Sequence, residues 1–80
     1  MDGYDHYAEA KKIAAQLDAQ GLPSDAEKIR SAISEGRSGT EIFMQLRFYL
    51  TPVLSTVNLA DGVKGQITVL LGKINEALSR

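Results

Sequence analysis

Apolar residues recur along this chain at steps of three and four, the pattern of helices that each bury one face. Tyr7, Ala10, Ala14 and Leu17 trace the first stripe, widened by Ile13, while Lys11, Lys12, Gln16 and Asp18 lie mostly outside it. This spacing predicts a helix over residues 4–20, with Asp2 or Asp5 near its positive end, where a carboxylate meets free backbone amides. Gly21 ends it, because glycine readily takes the left-handed conformation after a C-cap; Leu22 is then placed to pack back on Leu17, and Pro23 confirms the stop.

Ser24 and Glu27 have the S-x-x-E spacing of a capping box and open a second helix, whose stripe is Ala26, Ile29, Ala32 and Ile33. The short connection predicts an antiparallel hairpin, and Gly36 is expected to terminate the second helix as Gly21 does the first. Ser38 and Glu41 repeat the box at the start of a third helix. Ile42, Leu46, Tyr49, Leu50 and Val53 share one face of it, and Phe43 and Phe48 spread apolar surface around most of the circumference. Such a helix needs cover from more than one side and is expected at the centre of the fold. Pro52 predicts a break or kink followed by a helical turn to about residue 57, with Thr51 and Pro52 able to act as N-cap and first residue.

Residues 58–62 read as a loop, after which Val63, Ile67, Leu70, Leu71, Ile74 and Leu78 keep helical spacing over a fourth helix. Ile67, Thr68 and Val69 between Gly65 and Gly72 also admit a strand, but a lone strand would have nothing to pair with. The expectation is therefore all-α: a compact bundle of four main helices around the third, with helix three broken or kinked at Pro52.

Eighty residues support one core, so residues 1–80 are expected to form one domain. With no cysteine, disulfides and thiolate zinc sites are excluded, and a reducing, cytoplasmic setting is expected. No apolar run approaches the roughly 18 residues needed to span a bilayer, so no membrane association is expected. The formal charge of −1 conceals an asymmetry. Residues 1–41 carry an excess of acids, including Asp18, Asp25, Glu27 and Glu35, whereas residues 42–80 carry an excess of bases. Lys and Arg are not gathered as a phosphate-binding face requires, which argues against direct nucleic-acid binding.

His6 is the only histidine, and no nucleophile–base, zinc-protease or P-loop pattern accompanies it, so it reads as a solvated N-terminal residue. Gly36, Arg37, Ser38 and Gly39 precede a helix N-terminus that could attract an anion, although a C-cap, a linker and an N-cap account for them more simply. No enzyme, metal or cofactor is expected. Two surfaces stand out for binding. Arg47 lies beside Phe43 and Phe48, with Tyr4 and Tyr7 as separate candidate anchors. Gly65, Val69 and Gly72 line the face of the fourth helix opposite its apolar stripe, where a second backbone could approach closely and form a homodimer.

The stretch EKIRSAISEGRSGTEIFMQLRFYLTPVL, residues 27–54, combines a helix ending in glycine, a Ser-Gly-Thr-Glu helix start and an aromatic-rich L-R-x-x-L helix. In that pattern it resembles small bacterial immunity proteins of contact-dependent inhibition and related polymorphic toxin systems. The resemblance implies a cytoplasmic inhibitor that covers the active site, or an adjacent surface, of a basic toxin such as a nuclease. On that reading Asp18, Asp25, Glu27 and Glu35 are the expected contacts. The alternative is a self-associating adaptor or regulatory subunit held together through Gly65, Val69 and Gly72.

Overall fold

A computed structural model describes residues 3–79, and these form four helices, α1 (His6–Ala19), α2 (Pro23–Glu35), α3 (Gly39–Val53) and α4 (Asp61–Leu78). The expectation for Asp2 lies outside the described residues. Asp5 caps α1, its carboxylate accepting the Ala8 amide at 3.0 Å. At the other end Gly21 is left-handed (φ +79°), the Leu22 amide donates to the Leu17 carbonyl at 2.8 Å and the Gly21 amide to Asp18 at 3.1 Å. That pair of bonds is the Schellman termination expected from Gly21 and Leu22.

The second helix begins two residues earlier than the capping-box spacing indicates. Leu22 is the N-cap, it makes no side-chain cap, and Pro23 occupies the first turn, where its missing amide hydrogen costs nothing. Ser24 is therefore already inside the helix. Gly36 also ends α2 differently from Gly21: its backbone is extended (φ −67°), and a β-carbon there would overlap the Ile42 side chain and come within 2.9 Å of the Ala32 carbonyl. Close approach of α3, rather than backbone handedness, calls for glycine at this position.

At the start of α3 the Ser38 hydroxyl accepts the Glu41 amide at 3.1 Å, while the Glu41 carboxylate reaches back one residue beyond the cap to the Arg37 amide at 3.2 Å. These bonds satisfy the Arg37 and Glu41 amides, two of those that an anion at this helix start would use. The helix runs through Pro52 to Val53 and then tightens into turn bonds from Leu54 to Thr51, Ser55 to Pro52 and Thr56 to Val53. The break expected at Pro52 thus falls just after it, and no new helix starts there. Asn58 adopts a left-handed conformation (φ 67°), and Gln20 Oε1 accepts the Ala60 amide at 2.9 Å, tying the end of α1 to the start of α4. Residues 66–71 are helical, inside α4.

The helices pack in a cycle, each against its two neighbours, α1 with α2 and α4, and α3 with α2 and α4. Ala10, Ile13, Ala14 and Leu17 of α1 meet Ala26, Ile29 and Ala32 of α2, Leu46, Leu50 and Val53 of α3, and Val63, Ile67, Leu70 and Ile74 of α4. Removing each large member from water stabilises the fold by about 1.5–3 kcal/mol. The third helix is one wall of this cycle and not its centre, because small residues on α1 and α2 bring those helices together without it. Across the ring α1 meets α3 at one end, where His6 and Tyr7 pack on Phe43 at ring-centre separations of 4.8 and 5.7 Å.

Candidate protein-docking face

Leu46, Leu50 and Val53 turn inward from α3, Phe43 is covered by α1, and α2 and α4 flank the helix. The remaining side stays open. Met44 and Phe48, one turn apart, are 51% and 74% exposed, and Pro52 continues the row one turn further on. A buried Phe contributes more to stability than almost any other side chain, so Phe48 leaves that contribution to a contact outside the monomer. Phe48 rests edge-on against Tyr49, ring centres 5.4 Å apart at 71°, which holds it upright.

Two depressions that share Met44, Phe48 and Tyr49 follow this row. One of about 730 Å³ lies toward α2, with Asp25 and Lys28 on its far wall and Thr51 and Pro52 at its end. Another of about 440 Å³ runs toward the start of α3, past Glu41 and Gln45. A third, between α2 and α3, is rimmed by Glu27, Lys28 and Glu35. Asp25 and Glu41, with Lys28 and Arg47, line the two depressions that hold Met44 and Phe48, and Glu27 and Glu35 stand beyond them along α2, across from Gln45 and Tyr49. Asp25, Glu27 and Glu35 form no hydrogen bond or ion pair with any described residue. Arg47 donates to Asn75 Oδ1 at 3.1 Å, which draws its guanidinium toward α4 and away from Phe48.

Of the residues singled out in the sequence, Asp25, Glu27, Glu35 and Arg47 therefore gather around one face, made by α2 and α3. Asp18 is elsewhere: its carboxylate accepts from Arg30 at 2.5 Å across the α1–α2 seam, and this bond raises the Arg30 pKa above its ordinary value. Gly65, Val69 and Gly72 lie on α4, where Gly65 and Val69 border a shallow depression with Tyr4 and Glu9. A β-carbon at Gly65 or Gly72 would touch nothing, so no contact within the monomer calls for glycine there. The contributions of Met44, Lys28, Thr51 and Pro52 were not foreseen. Met44 was findable, since it precedes Phe48 by one turn on the side of α3 away from Leu46 and Leu50.

His6 is packed rather than solvated. It meets Tyr4 edge-on at 5.2 Å and Phe43 at 4.8 Å, and Lys73 sits 5.3 Å from the Tyr4 ring centre. Burial, assisted by Glu9, raises the Tyr4 pKa. Tyr4 and Tyr7 are thus tied into contacts within the molecule. Among the described residues no group of three or more His, Cys, Asp or Glu could hold a metal ion, and no helix is long and apolar enough to cross a membrane.

No protein-family model matches the chain, and no curated protein or solved structure is significantly similar to it.

Proposed function

We propose that this chain is a small cytoplasmic binding protein that neutralises a basic toxin domain by laying its α2–α3 face over the active site or an adjoining surface. The observation that carries this reading is Phe48, 74% exposed beside Met44, with the carboxylates of Asp25 and Glu41 lining the adjoining depressions. An aromatic anchor inside a charged rim is the usual build of a protein–protein hot spot. The segment that resembles immunity proteins, residues 27–54, supplies most of α2 and all of α3, the two helices of this face. The mechanism is steric: the bound domain cannot admit substrate. Unpaired acids facing a basic cleft accelerate encounter more than they tighten the complex.

A self-associating adaptor is the second reading, favoured by Val69, which is 53% exposed between two glycines on α4. The experiment that tests the first reading is recovery of tagged protein from its native cells through a moderate salt wash. A basic polypeptide retained at one-to-one stoichiometry by the wild type, and lost by Phe48→Glu, is expected. Recovery of this chain alone, or equal retention by both forms, contradicts it.

A further inference from the structure

Resting on the docking reading above, we infer that the α2–α3 face receives a helix, and that the helix is basic and amphipathic. Met44, Phe48 and Pro52 follow one another at four-residue steps, forming a ridge of about 12 Å along α3. Depressions of about 730 and 440 Å³ follow that ridge. A four-step ridge bordered by grooves is the surface that a second helix meets when ridges interdigitate, at a crossing angle of roughly 50°. The crossing carries the incoming helix off α3 and over α2, where Asp25, Glu27 and Glu35 stand without ion-pair partners. Lysines or arginines flanking the apolar stripe of the occupant answer those carboxylates.

A second copy of this chain is a poorer occupant. It would bring the same rim, in which the four carboxylates of Asp25, Glu27, Glu35 and Glu41 outnumber the two bases Lys28 and Arg47, against the first. Met44 and Phe48 together expose roughly 250 Å² of side chain, well short of the about 800 Å² per partner of a standard stable interface. The row suits the anchor of a helix whose remaining contacts are polar.

The test uses the full chain and two synthetic peptides of about 18 residues, long enough to hold helical structure. One carries leucines at helical spacing between lysines and alanines; the other has the same composition with the stripe scrambled. Titration calorimetry is expected to show the striped peptide binding at least about tenfold more tightly than the scrambled one. Phe48→Ser and Met44→Ser, both at exposed positions and checked for folding by circular dichroism, are expected to erase that margin. Equal affinity for the two peptides would mean that charge alone is recognised and would overturn the inference. So would a margin that survives Phe48→Ser, or Phe48-dependent self-association of the chain in sedimentation. If the peptides fail while Phe48→Glu still releases the native partner, the docking face stands and the helical occupant does not.

Discussion

The Ile42 side chain fills the space that a β-carbon on Gly36 would need. With φ at −67° any residue could adopt the Gly36 backbone, so the constraint is the approach of α3 to the end of α2. Gly36→Ala is therefore expected to destabilise the fold by about 1–3 kcal/mol, the cost of overpacking a fixed contact. Denaturant unfolding checks this, and an unchanged midpoint would show that α3 can move away freely.

The glycines of α4 predict the opposite sign. Neither Gly65 nor Gly72 has any group near the position of an added β-carbon, and both sit in a helix interior. Gly65→Ala and Gly72→Ala are each expected to stabilise the monomer by about 0.5–1 kcal/mol. Thermal unfolding should show nearly additive gains in the double variant. A loss of stability that depends on protein concentration would instead place a partner on that strip.

Ser24 and Ser38 precede Glu27 and Glu41 by the same spacing, yet only Ser38 caps. Ser38→Ala is expected to cost about 1 kcal/mol, whereas Ser24→Ala stays within about 0.5 kcal/mol of wild type. Equal effects in chemical denaturation would contradict the assigned start of α2.

This pair also shows how far the sequence could be read. Local chemistry that closes on itself was legible: the left-handed Gly21, the return of Leu22 to Leu17, and the Ser38 cap each involve residues within one turn. Ser24 misled because Pro23 competes for the same helix start and needs no amide partner. Gly36 and α3 misled for a different reason, since the role of each depends on where a separate helix lands. The apolar excess of α3 was visible. Which of Phe43 and Phe48 is covered was not, because α1 reaches only the first of them.

Tyr4 makes stability depend on alkaline pH. Burial raises its pKa, so the folded state holds the phenolic proton more tightly than the unfolded chain does. The stabilisation is complete below about pH 10, the unfolded value, and is lost as pH rises through the higher folded value. Tyr4→Phe is expected to remove a tyrosine step that lies above the ordinary value from an ultraviolet titration and to flatten the fall of stability above about pH 10. Loss, in Tyr4→Phe, of a step at the ordinary tyrosine value would contradict the raised pKa of Tyr4.

Two exposed apolar residues on different helices, Phe48 on α3 and Val69 on α4, separate the accounts of what this molecule does. The decisive measurement is the affinity of Phe48→Glu and Val69→Glu for the partner recovered with the wild-type chain. The docking account predicts that Phe48→Glu loses at least about 100-fold, nearly 3 kcal/mol, while Val69→Glu binds as wild type. Intact binding by Phe48→Glu together with loss in Val69→Glu would contradict it and move the working surface to α4.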